Sequence, residues 1–196
     1  MAILTIADDK RVFSNPEEIR QQLAPAGIEY DRWEILPGID KSSSSESILD
    51  AYAEQIERVK QKGGYAKVDV VNVNSVTPGL DAMLAKFSAE HWHDEEEVRF
   101  IVHGRGVYHV HQPESGFVSK LEVEAGDMIR VPRGTLHWFD LCAEREIKAI
   151  RFFQDAAGWT PYYSESGLEK RYEPVCFGLT YLAAEKVAGI DWPALK

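Results

Sequence analysis

The stretch His91-Trp92-His93-Asp94-Glu95-Glu96-Glu97-Val98-Arg99-Phe100-Ile101-Val102-His103-Gly104 decides how this chain reads. On an extended backbone alternate side chains share a face, so His91 and His93 can both point into a barrel mouth. Glu97 keeps their parity if the acidic turn between them preserves it. Arg99 follows two residues later, on the face of Glu97. A fourth ligand must come from elsewhere, and His137, after the turn residues Pro132 and Gly134, is the candidate. Three neutral imidazoles and one carboxylate suit Fe(II), Ni(II), Mn(II) or Zn(II), with no thiolate to select among them. In an octahedral shell they leave two positions open, as a substrate chelating through two oxygens requires.

Blander readings compete. A His-x-His pair arises by chance on strands, Asp94, Glu95 and Glu96 are compatible with a solvated turn, and four ligands also make a closed structural zinc site. The surroundings favour an open metal site. His91, His93, Glu97 and Gly104 resemble most of the first cupin motif; Gly126, Pro132, Gly134 and His137 resemble the second. Two motifs about 40 residues apart that supply one site rarely coincide by chance. Ala85 and Leu141 depart from the motifs, which often have glycine and asparagine there; neither is a ligand. His103, His109 and His111 have no partner glutamate at the expected offset and read as surface groups or as outer neighbours of the ligands.

Outward from this stretch the chain has the period of strands. Val68–Val76, Val98–His103, Val107–His111, Phe117–Val123, Met128–Val131, Leu136–Leu141 and Ile147–Phe153 are short β-rich runs. Gly104-Arg105-Gly106, Pro113 to Gly116, Ala125-Gly126-Asp127 and Pro132-Arg133-Gly134 read as the turns between them. Such a series predicts an antiparallel sandwich or barrel, of which a jelly roll is one form. Helical signals lie on the N-terminal side. Asn15-Pro16 caps a helix running to Leu23. A second helix runs from the Ser42–Ser45 run to Gly63-Gly64 and presents Ile48, Leu49, Tyr52, Ile56 and Val59 on one face. A third covers Leu80 to Phe87. Gln154 to Pro161 reads as loop, with a short helix near Ala183–Val187. The expected layout is one domain of mainly β class: a cupin jelly-roll barrel with a few peripheral helices. A helical region spans about 1–65, the barrel about 66–155 and a tail about 156–196.

Composition narrows the function. At 44% hydrophobic and 28% charged, the 196 residues are those of an ordinary soluble domain. A formal net charge of −10 argues against a nucleic-acid surface, though local arginines still set the field inside a cleft. No apolar run approaches the ~20 residues of a membrane span, and the N-terminal MAILTIADDK lacks the features of a signal sequence. Cys142 and Cys176 are expected as free thiols in a reducing cytoplasm.

The residues around the ligands resemble one family closely, the acireductone dioxygenases. The resemblance rests on Leu84-Ala85-Lys86-Phe87, Glu90 to His93, Glu97 to Phe100, Val131 to Gly134, His137-Trp138-Phe139 and Ile150 to Phe153, and covers roughly residues 65 to 160. Tyr108 departs from it, where the family often has phenylalanine; both are flat aromatics. The resemblance implies that His91, His93, Glu97 and His137 bind one Fe(II) or Ni(II). It implies that Arg99 and Arg151 face the substrate and act in catalysis, with Phe87 and Phe139 lining the pocket. The implied reaction is O₂-dependent cleavage of the enediol 1,2-dihydroxy-3-keto-5-methylthiopentene in methionine salvage. Fe(II) would give formate and 4-methylthio-2-oxobutanoate; Ni(II) would give CO, formate and 3-methylthiopropionate. A fixed guanidinium beside a bound enediolate fits that chemistry independently. The competing expectations for the arginines are ion pairs with nearby acids and, for the whole chain, another cupin dioxygenase or isomerase, or a non-catalytic ligand-binding cupin. The remaining expectations are a monomer in the cytoplasm, with the small-molecule substrate and O₂ as its partners.

Overall fold

The β-rich middle of the chain builds two antiparallel ladders that share one long strand. The computed structural model describes residues 1–6, 11–114, 116–155, 159–174 and 176. In chain order the strands are β1 (Ile3–Ile6), β2 (Arg11–Phe13), β3 (Glu29–Arg32), β4 (Lys67–Val73), β5 (His91–Trp92), β6 (Glu97–Gln112), β7 (Phe117–Glu124), β8 (Asp127–Val131), β9 (His137–Leu141), β10 (Ile147–Phe153) and β11 (Tyr162–Tyr163). The helices are α1 (Pro16–Leu23), α2 (Ser45–Ala51), α3 (Ala53–Gly63) and α4 (Leu80–Leu84). One ladder runs β11-β5-β9-β6-β7-β1-β2. The other joins β4 to β10, β10 and β8 to β6, and β3 to β8. This is the expected mainly β, cupin-like architecture with peripheral helices.

Strand β6 joins the two ladders by turning from one into the other. Its first half pairs with β8 and β10, and its second half with β7 and β9. A one-residue bulge lies on the way: Ala149 faces Ile101, yet Lys148 faces His103. The extra residue exchanges the two faces of the strand. Val98 and Phe100 before it, and Val102 at the bulge itself, pack outward under Ile48, Tyr52 and Ile56 of the helices, while Ile101 points into the barrel. After it Tyr108 and Val110 are the inward residues, packed with Leu121, Ile129, Val131 and Phe139.

Several expectations need correction. Gly104-Arg105-Gly106 is not a turn; Gly104 takes φ 81°, and a Cβ there would stand 2.2 Å from the Glu146 carbonyl oxygen. Glycine lets β6 bend through the point where two strands were expected. The N-terminal 65 residues are not only helical, since β1 and β2 extend the β7 edge and β3 lies on β8. The second helix is two, α2 and α3, broken at Tyr52, whose ring packs 5.0 Å from Phe100 and whose hydroxyl donates to the Glu34 carbonyl. The third stops at Leu84. Helix α1 forms as expected, with Asn15 Oδ1 accepting from the Glu17 and Glu18 amides. Cys142 and Cys176 are joined in a disulfide rather than free. The helix expected near Ala183–Val187 lies outside the described residues.

Candidate metal centre

Strand pairing brings the distant histidine into place. His91 on β5 and His137 on β9 are direct cross-strand partners, with ring centroids 4.6 Å apart. His93 follows just beyond β5, and its carbonyl accepts from the Gly134 amide, so the two motif loops are tied together. His91, His93 and His137 are all buried, and one ligand nitrogen from each lies within 4.8 Å of the others.

Each imidazole is held by its far nitrogen. His91 Nδ1 meets the Ala89 carbonyl at 2.7 Å, His93 Nδ1 the Thr160 carbonyl at 2.8 Å, and His137 Nδ1 the Thr135 carbonyl at 2.8 Å. A carbonyl only accepts, so Nδ1 carries the proton and Nε2 keeps its lone pair. All three Nε2 atoms are buried without a hydrogen-bond partner among the described residues. Glu97 Oε2 faces two of them, 3.2 Å from His93 Nε2 and 3.5 Å from His137 Nε2. Acceptors converging on one dry point repel one another unless a cation sits between them. Donors about 2.1 Å from an ion stand about 3.0 Å apart when adjacent in an octahedron, close to the separation of Glu97 Oε2 from the His93 and His137 nitrogens. The residues therefore fit a divalent metal.

The other carboxylate oxygen is held separately. Glu97 Oε1 accepts from the Tyr108 hydroxyl at 2.8 Å and lies 2.8 Å from Arg99 Nε, a charge contact not aligned as a hydrogen bond. Burial opposes the Glu97 charge, but the Arg99 cation and the His137 and His93 imidazoles outweigh it and hold the carboxyl well below its usual range. Burial, aided by His137, pushes His91 down to about 4. For His93 burial acts the same way, yet the contact with Glu97 prevails and raises it.

The expected substrate residues gather nearby. Arg99 and Arg151 are direct partners across β6 and β10, so they share the inner face. Arg151 also pairs with Asp69 across β4, Nε to Oδ1 at 2.8 Å and Nη2 to Oδ2 at 2.9 Å. Both arginines thus have acidic partners, Glu97 and Asp69. Phe139 lies 5.1 Å under the Arg99 guanidinium, and Phe87 packs edge-on to His91 at 5.7 Å. Trp159 was missed in the sequence: it stacks on His93 at 6.1 Å and lies 5.0 Å from the Arg99 guanidinium. Its neighbour Thr160 supplies the His93 carbonyl partner. Nothing local marks either residue, because their partners are 60 or more positions away.

The other histidines, with no glutamate at a ligand-motif offset, find partners elsewhere. His103 Nε2 lies 3.0 Å from Glu146 Oε1 and His111 Nδ1 2.6 Å from Glu90 Oε1, and Glu90 Oε2 also accepts from the Ser166 hydroxyl. His109 is neither at the surface nor beside the ligands; it is buried and stacks at 4.8 Å on Trp138. The acidic residues hold the loop: Glu96 pairs with Arg130, and Glu95 accepts from the Gln154 and Asp155 amides. A groove of about 460 Å³ between α3 and β3 touches none of the site residues. Its Arg130 pairs with Glu29 and Glu96, and its Lys62 with Glu29.

An antiparallel barrel with three bare imidazole nitrogens and a carboxylate in its mouth defines a cupin-type metal enzyme. The comparisons agree. The model of the ARD/ARD′ family matches residues 7–161. An acireductone dioxygenase of Picosynechococcus sp. is 38% identical over 175 residues, covering 89% of this chain and 99% of its own. One from Pseudomonas aeruginosa is 38% identical over 162 residues, covering 83% and 88%. A solved acireductone dioxygenase from Bacillus anthracis, with a cadmium ion in its active centre, superposes with a TM-score of 0.77. It is 33% identical and covers 83% of this chain and 98% of that one. The chain belongs to the ARD/ARD′ family.

Proposed function

We propose that this chain is an acireductone dioxygenase that cleaves 1,2-dihydroxy-3-keto-5-methylthiopentene with O₂ in methionine salvage, using Fe(II) or Ni(II). The observation that carries it is the set of three buried Nε2 atoms with no partner among the described residues, two of them facing Glu97, beside a buried arginine, in a member of this family. His91, His93, Glu97 and His137 would hold the ion. When bound, the metal supplies Lewis-acid polarisation of an enediolate and a template for it and O₂.

The chain's own residues do the rest. Arg99 places a permanent cation where a substrate anion must lie, in a site too dry for water to screen it. Arg151, with two of its nitrogens on Asp69, places an ion-paired guanidinium on the same face in a fixed position. Phe87, Phe139 and Trp159 form an apolar wall suited to a thioether tail, and exclude water from the reacting carbons. The proposal includes a monomer in the cytoplasm. Among the described residues no helix is long and apolar enough to cross a membrane.

The test is to strip the metal, reload separate samples with Fe(II) and Ni(II), and assay products side by side. The iron form is expected to give formate and 4-methylthio-2-oxobutanoate, and the nickel form CO, formate and 3-methylthiopropionate. Equal product ratios from two active samples would overturn the metal-directed outcome. No consumption of the acireductone by either would overturn the activity.

A further inference from the structure

We propose that Tyr108 is a positioning residue of the metal centre: by holding Glu97 Oε1, its hydroxyl fixes Oε2 as the oxygen offered to the ion and so biases which ions the centre accepts. The proposal rests on the reading of His91, His93, Glu97 and His137 as ligands.

A carboxylate can meet a cation through one oxygen or both. Here the two oxygens of Glu97 have different partners. Oε2 faces the imidazoles of His93 and His137 at 3.2 and 3.5 Å. Oε1 is turned away and accepts from Tyr108 at 2.8 Å. Arg99 touches Oε1 too, but its contact is not directional, whereas the hydroxyl bond is. Swinging Oε1 round to the ion would leave the Tyr108 O–H, fully buried, with no acceptor. The one-oxygen mode is thereby favoured, and two positions of a six-coordinate shell stay open.

The placement is not incidental. Without the bulge between Ile101 and His103, Tyr108 would face away from Glu97 and Arg99. Its ring is fixed by Phe139 at 4.7 Å, and Phe139 fits only because position 106 is glycine: a Cβ there would lie 2.3 Å from the Phe139 ring. Tyrosine and phenylalanine are therefore not equivalent at this position.

The test compares the wild type with Tyr108→Phe, reading Co(II) and Cd(II) dissociation constants by chelator competition and the visible spectrum of the Co(II) form. Cadmium is the larger ion and accepts both oxygens of a carboxylate readily. Tyr108→Phe is expected to weaken Co(II) roughly tenfold, as loss of a hydrogen bond to a ligand does. Cadmium should weaken less than threefold, and the Co(II) absorption should change. Leu121→Ala, which loosens the packing opposite Tyr108 and keeps the hydroxyl, is expected to lower the melting temperature and leave the Co(II)/Cd(II) ratio unchanged. The proposal is overturned if Tyr108→Phe leaves ratio and spectrum unchanged, or if Leu121→Ala shifts the ratio as far. A wild type that binds neither ion overturns the ligand assignment as well.

Discussion

His91 and His137, 46 positions apart in sequence, stand directly opposite each other on neighbouring strands, with ring centroids 4.6 Å apart. The metal centre is therefore a product of strand register. A ligand on β5 meets one on β9 only while those two strands pair in this alignment.

Replacing any one of His91, His93, Glu97 or His137 by alanine should weaken metal binding on the order of a hundredfold, since each supplies about a quarter of a shell worth ~10 kcal/mol or more. Elemental analysis and metal titration of each variant check this. A variant that keeps full occupancy at limiting metal would remove that residue from the set.

Arg99→Ala should separate metal binding from turnover. Arg99 touches Oε1, the Glu97 oxygen turned from the imidazoles, so the ion should remain, with affinity within about tenfold. The loss of a fixed charge from a dry site should lower kcat/KM roughly thirty- to a thousandfold. Without metal, the same variant leaves the buried Glu97 carboxylate only the Tyr108 hydroxyl and the two imidazoles, and should lose about 3 kcal/mol of stability. Activity within threefold of wild type would make Arg99 structural only.

How much of this was legible in the sequence depends on the range of the interactions. His91, His93, Glu97 and Arg99 were readable because alternation is local, and His137 because its turn carries proline and glycine. Strand β10 was readable to the residue, since Ile147–Phe153 is buried on both faces. Strand β6 was read as two because glycines that bend a strand look the same in sequence as glycines that end one. Its bulge, which turns Tyr108 inward, is set by pairing with β10 and leaves no local mark. Trp159, Glu90 with His111, and the strands β1 and β3 escaped for the same reason: each is defined by a partner far along the chain.

His109 should make the protein acid-sensitive. Burial, with the Lys120 charge, pushes its pKa down to about 4 from an ordinary 6.5. Between those values the unfolded chain binds more protons than the folded one, so stability falls as pH drops from 6.5 toward 4. The expected loss from this group is about 2 kcal/mol at pH 5. Asp140, pushed up to about 6 by burial, acts in the opposite direction below pH 6. His109→Phe keeps a flat ring on Trp138 and removes the titration. Denaturant melts at pH 7 and pH 5 should show it losing about 2 kcal/mol less than wild type. Equal losses would mean that His109 titrates near its ordinary value.

The central claim is that four residues hold one ion and that this ion makes the chain a dioxygenase. It is tested most directly by titrating metal-free protein with Fe(II) under anaerobic conditions and measuring the O₂-dependent consumption of acireductone at each step. The predicted result is a rate that rises linearly and breaks at one equivalent of iron per chain. A rate that stays at the uncatalysed background throughout, or one that breaks at a different stoichiometry, would contradict it.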